Sequence, residues 1–205
     1  MDSTPIAKLA ADGRPVRRKP ESLAKIKRAA RKLFVERGYH ATRPQDIMRE
    51  ACLGHGTFYL HYQDKRACFL AFVEEARVEL HAHIRSRVGA GRTLEETIDT
   101  TLKAIYEYSD ANPGVLAAAM TDEAVIDAEG AQAVPLLLRW GRDWAQIVRD
   151  AMRDGSAANG YDPDIVGQAI VGAIHQCGFE GDRLGRNRQD VIDNLSRFLV
   201  RALKP

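Results

Sequence analysis

The sequence predicts an all-α chain, and three features carry that expectation. Apolar residues recur three and four apart through most of its length, as one face of a helix requires. Between these stretches stand helix caps, such as Ser22 and Asp64, and breakers, such as Gly38 and Asn112-Pro113-Gly114. Neither strand alternation nor an internal repeat competes with them.

The elements follow in order. Residues 1–20 carry Pro5, Gly13, Pro15 and Pro20 among Lys8, Arg14, Arg17, Arg18 and Lys19, which reads as a flexible basic arm. It is either an inert tail or a source of extra phosphate contacts. A first helix is expected over Leu23 to Arg37. Ser22 caps it, Leu23, Ile26, Ala30, Leu33 and Phe34 share one face, and Gly38 suits the left-handed position after its end. Thr42, Pro44 and Gln45 suggest a capping box for a second helix whose buried side is Ile47, Met48 and Ala51. A third helix over about Gly54 to Tyr62 and a long fourth from Lys65 to about Val88, capped by Asp64, come next. Leu94 to Tyr108, Val115 to Met120, Ala133 to Arg153, Pro163 to Phe179 and Arg188 to Leu203 complete the helical set; 127–130 is ambiguous.

Charge divides the chain. Net charge is +2, yet residues 1–66 hold 15 Lys and Arg against 7 Asp and Glu, and the remainder holds 15 against 21. A basic module facing a polyanion, beside an acidic body that does not, accounts for this better than a solvated helix face. Hydrophobic residues at 45% allow a real core. There is no run long enough to span a membrane and no secretion-signal pattern at the N-terminus, so a cytoplasmic location and no membrane partner are expected. Cys52, Cys68 and Cys177 form no CxxC pair, which argues against a zinc site or disulfide framework; they read as small buried residues.

The chemistry concentrates in Gly54–Lys65, where Thr57, Tyr59, His61, Tyr62 and Lys65 surround the apolar Phe58. Two short helices joined by a tight turn, the second basic and aromatic, suggest a helix-turn-helix that enters the major groove of DNA. Its first residues, His55, Gly56 and Thr57, with Tyr59 one turn on, would reach base edges. Phe58 belongs to the core, and Tyr62 reads as a packing residue.

Ala29-Ala30, Leu33-Phe34, Gly38-Tyr39, Ala41-Thr42, Asp46-Ile47, Ala51, the run Gly56-Thr57-Phe58-Tyr59-Leu60-His61-Tyr62, and Asp64-Lys65 together resemble the TetR family of bacterial transcription regulators. The resemblance covers about residues 22–72. It implies a three-helix DNA-binding domain at 21–66 and a helical effector-binding and dimerisation domain at 67–205. It also implies phosphate contacts from Thr42, Arg43, Tyr59, His61 and Lys65. Cys52 and Gly54 depart from the family, which has glycine in the turn and a capping serine. A thiol beside DNA raises a redox-switch reading, against which an inert cysteine is the plainer one.

In the second domain, Trp140 and Trp144 lie one turn apart, and Tyr106, Met120, His175 and Phe179 can face them across a bundle. That makes an apolar pocket for a lipophilic effector, or simply a core. Ala169, Ala173 and Cys177, with Val191, Leu195, Phe198 and Ala202, give the last two helices apolar faces suited to a homodimer.

An enzyme is the rival class, but the histidines form no HExxH or Ser/His/Asp arrangement, and Glu79 with His83 alone make no metal site. No catalytic residue, metal or cofactor is expected. The reading is a ligand-responsive regulator, a repressor that binds palindromic double-stranded DNA as a dimer and is released by its effector. A small-molecule-binding protein with a weakened DNA head is the alternative.

Overall fold

The computed structural model describes residues 20–89, 93–121 and 136–205, all helices and connections among these residues. Of the basic arm expected at 1–20, residues 1–19 lie outside the described residues and Pro20 already opens the first helix; the ambiguous stretch at 127–130 also lies outside. The helices are α1 Pro20–Ala41, α2 Pro44–Glu50, a 3-10 turn His55–Thr57, α3 Phe58–His61 and α4 Lys65–Arg87. Then come α5 Leu94–Ala111, α6 Val115–Thr121, α7 Leu136–Asp154, α8 Pro163–Arg183 and α9 Arg188–Leu203. The chain divides into two compact units at Phe72/Val73, within α4.

In the first unit, Ile26, Ala30, Leu33 and Phe34 of α1 pack with Ile47, Met48, Phe58 and Phe69, all essentially inaccessible. Phe34 meets Phe69 edge to face at 5.1 Å and Phe72 at 5.7 Å. Helix α1 is interrupted at Gly38, whose φ of 75° a side chain would resist, and one further turn follows. Asp64 caps α4 by accepting from the Ala67 amide at 2.7 Å.

Two expectations here are corrected. The cap of α2 is Arg43, in extended conformation and without a side-chain cap bond, rather than Thr42. Pro44 forces the residue before it out of the helical region, so the helix begins one residue later than the capping box requires. The third helix is a 3-10 turn followed by a single α turn, not a continuous helix from Gly54. Gly54 has no side chain to cap it, and Tyr62 is already extended.

The second unit is a helical bundle. Ile98, Leu102 and Tyr106 of α5, Trp144 and Val148 of α7, Ile170 and Val171 of α8, and Ile192, Leu195 and Leu199 of α9 form its main core. Thr93, Asp162 and Asn187 cap α5, α8 and α9, Thr93 through a reciprocal capping box with Glu96. Helices α7 and α8 approach closely through glycines: a Cβ on Gly167 would lie 2.2 Å from the Gly141 carbonyl oxygen and 2.6 Å from the Ala145 nitrogen. Arg139 reaches from α7 to Glu74 of α4 at 2.9 Å, where Arg77 also binds. Hydrogen bonding from Arg77 is the main reason the Glu74 carboxyl lies below its ordinary value.

Candidate DNA interface and ligand cavity

The head sorts the expected DNA-contacting residues into two groups. Arg43, His55, Gly56 and Tyr59 are exposed, with Thr57 half-buried. The rings of His55 and Tyr59 meet edge to face at 5.8 Å, so they form one aromatic, polar ridge. Neither Gly54 nor Gly56 has positive φ, and a Cβ on either would meet nothing within 4 Å. The fold itself therefore does not require glycine at these positions.

Three other residues are used within the head. Thr42 is completely buried, its hydroxyl donating to the carbonyls of Gly38 at 2.8 Å and Leu33 at 3.2 Å. Its side chain is a brace for the kink at Gly38, not a phosphate ligand. His61 Nε2 and the Ser22 hydroxyl lie 2.8 Å apart, which ties α3 to the start of α1. The Lys65 ammonium donates to the Tyr39 carbonyl at 2.9 Å and sits 4.0 Å from the centre of the Tyr39 ring. It therefore satisfies a carbonyl at the end of α1, where a cation is favourable.

The cysteines also differ from expectation. Cys68 is buried, and desolvation pushes its thiol up to about 12, but Cys52 and Cys177 are exposed. Cys52 holds φ at 53°, in the left-handed region that a glycine would occupy without strain.

In the second unit a cavity of about 480 Å³ lies among α4 to α8. Tyr106, Met120, Trp140, Trp144, His175 and Phe179 all line it, and Phe179 is also 63% exposed. Most of the remaining wall is apolar, from Leu80, Ile84, Ile105, Leu137, Ile147 and Ile174. Sequence reading missed the contribution of α4. Leu80, Ile84 and Val88 recur every four residues, with His81 and Arg85 beside them, and that periodicity was the available signal. His81 Nε2 lies 3.3 Å from Asp143, yet burial outweighs that carboxylate and holds the imidazole below its ordinary value. Burial also raises the Tyr106 phenol, reinforced by Asp182 and opposed by Arg188.

The Glu79–His83 pair does not converge on a common site. Glu79 accepts from the Tyr108 hydroxyl at 2.8 Å, and His83 Nε2 faces Glu107 at 3.3 Å without hydrogen-bond alignment. Among the described residues no cluster of three metal-ligating side chains occurs, and no helix is long and apolar enough to cross a membrane.

The expected dimer-forming residues separate as well. Ala169, Cys177, Phe198 and Ala202 are exposed, Phe198 at 61%, while Ala173 and Val191 pack partly against the chain's own core. Leu195 is corrected to a core residue: it shares the buried phase of α9 with Ile192 and Leu199. Ile165, at 68% exposure, extends the open face on α8.

Residues 26–72 match the sequence model described as bacterial regulatory proteins, tetR family. The match is confined to the head, which carries the sequence pattern of the tetR family. Its members are transcription regulators rather than enzymes, and they bind DNA operators, dimerise and take small-molecule effectors.

Solved structures agree in fold along almost the whole length. One, from work on the molecular basis for control of antibiotic production by bacterial hormones, is 22% identical with a TM-score of 0.71, covering 91% of this chain and 100% of that one. A gamma-butyrolactone receptor described as ArpA-like is 23% identical with a TM-score of 0.66, covering 90% and 89%. The fatty acid degradation regulator FadR from Bacillus halodurans is 16% identical with a TM-score of 0.66, covering 89% and 95%. No curated protein matches. Cys52 and Gly54, where the sequence reading expected departures, are both exposed and lie outside the head's core.

Proposed function

We propose that the chain is a ligand-responsive repressor that binds a palindromic operator as a homodimer and is released by a small, largely apolar effector. The observation that carries the reading is the exposed ridge of His55, Gly56 and Tyr59 on a tetR-family head, with Arg43 exposed beside α2. A ridge of this kind suits major-groove contact, and Gly56 leaves room on the outside that the protein does not fill. Tyr59 and Arg43 grip phosphate; His55 and Thr57 face bases.

Two features of the second unit support the rest. The exposed Phe198, Ala202, Ala169 and Ile165 on α8 and α9 suit a second copy, and a two-fold dimer supplies the paired heads that a palindrome needs. The cavity suits the effector, and its volume falls in the range of about 300–1,000 Å³ usual for small-molecule sites. Helix α4 lines the cavity and begins at Lys65 in the head, so a ligand that favours one position of α4 can bias DNA affinity.

Fluorescence anisotropy with duplexes drawn from the DNA flanking the protein's own coding region tests the reading. Saturable binding that weakens steeply with salt is expected, with Tyr59→Phe weakening it and leaving self-association intact. Absence of salt-dependent binding to any such duplex would refute it.

A further inference from the structure

Two hydrogen-bond donors in the cavity are left unanswered by the protein itself. Tyr106 is only 9% exposed and its hydroxyl has no partner; the buried Trp140 Nε1 has none either. Buried polar groups are overwhelmingly paired, so two orphans in one cavity point to something that enters it. The acids lining the same cavity are engaged elsewhere: Asp143 with His81 at 3.3 Å, and Asp182 with Arg188 at 3.5 Å.

We propose that the cavity binds an uncharged, largely apolar molecule bearing a carbonyl-type oxygen, with Tyr106 and Trp140 donating to its acceptor oxygens. The proposal rests on the reading of this cavity as the effector site and adds the chemical class of the effector. The indole N–H can only donate, so its partner must offer a lone pair. A protonated amine has none to offer. A carboxylate has lone pairs but would enter beside Asp143 and Asp182. Arg85 also lines the cavity, but one arginine against two acids leaves the wall net negative. Arg188 lies over the Tyr106 ring and already binds Asp110 and Asp182, and burial keeps His81 neutral near pH 7. Leu80, Ile84, Ile105, Leu137 and Ile174 take the apolar body. Gly178 adds no side chain beside the Tyr106 hydroxyl, where a Cβ would already touch it at 3.4 Å.

The test uses the full chain and three probes of equal length below their micellar concentrations: decan-2-one, decanoate and decylammonium. Binding is followed by calorimetry and tryptophan fluorescence, and DNA release by anisotropy. Decan-2-one is expected to bind at least about tenfold more tightly than either ion, and Tyr106→Phe and Trp140→Phe each to weaken it about five- to tenfold. In the ligand-free protein, Tyr106→Phe is expected to raise Tm by about 2 °C, because it removes an unpaired buried hydroxyl.

Failure of the ketone to bind, tighter binding of decanoate or decylammonium, or unchanged ketone affinity in both variants overturns the proposal. So does a fall in Tm on Tyr106→Phe, which would mean that the hydroxyl already has an internal partner. Ketone binding with the expected losses but without DNA release upholds the cavity chemistry and refutes the effector reading instead.

Discussion

Replacing Gly167 with alanine probes the closest approach in the second unit. The added Cβ would stand 2.2 Å from the Gly141 carbonyl oxygen, 2.6 Å from the Ala145 nitrogen and 3.0 Å from its Cα, all backbone atoms that no rotamer change can move. Relief needs α7 and α8 to part by about 1 Å, and overpacking on this scale costs about 1–3 kcal/mol or more. Alanine returns about 1 kcal/mol of helix propensity. The clash involves two helix backbones at once, so the upper part of the range applies and the net loss is about 2 kcal/mol. For a chain of this size that lowers Tm by roughly 4–8 °C. Scanning calorimetry at fixed protein concentration checks it, with Gly178→Ala as the control on the same helix, since its Cβ would meet only the Tyr106 hydroxyl at an ordinary 3.4 Å. Equal stability of the two variants would refute the argument that the Gly141–Gly167 crossing is backbone-limited.

Three further outcomes follow from the geometry. Thr42→Val keeps the shape and removes both buried bonds to Gly38 and Leu33, so urea denaturation is expected to show a loss of about 1–3 kcal/mol; an unchanged midpoint would return Thr42 to the surface. Cys52→Gly relieves the φ of 53° and is expected to stabilise the head by up to about 1 kcal/mol, less the entropy glycine adds to the unfolded chain. A clear loss in the same assay would show that the side chain is needed there. Burial depresses the His81 pKa, so the unfolded chain binds a proton near 6.5 that the folded chain refuses. Its contribution to stability is complete above 6.5 and declines as pH falls from there through the folded value. Parallel pH profiles for wild type and His81→Gln in that window would contradict this.

How much was legible in the sequence depends on where the determining signal lies. Helix α9 was legible to the residue because its apolar phase runs unbroken from Val191 to Leu203. The six cavity residues named from sequence come together because each lies on a helix whose phase could be read. Leu195 and Phe198 were read as one face, but they lie three apart on a wide apolar arc, and the chain's own core takes only part of it. The brace made by Thr42 was hidden because a Ser or Thr before a helix ordinarily reads as a cap, and the displacement came from Pro44. The crossing at Gly141 and Gly167 was hidden for a different reason. A glycine inside a helical pattern registers only as a propensity penalty until the opposing backbone is known.

Under the proposed function, the shortness of the recognition element limits what each head can distinguish. His55 to His61 spans one 3-10 turn and one α turn, about 12 Å of rise, while base pairs stack about 3.4 Å apart. A head therefore addresses about three base pairs, and two heads about six, a string that recurs by chance about once in 4,000 positions. Genomes present about a million or more competing sites. Side-chain reading alone thus leaves hundreds of equivalent addresses. The missing information must come from the fixed interval between half-sites and from how readily the intervening duplex deforms. An operator for this protein should accordingly tolerate single changes inside a half-site better than the insertion of one base pair between the halves.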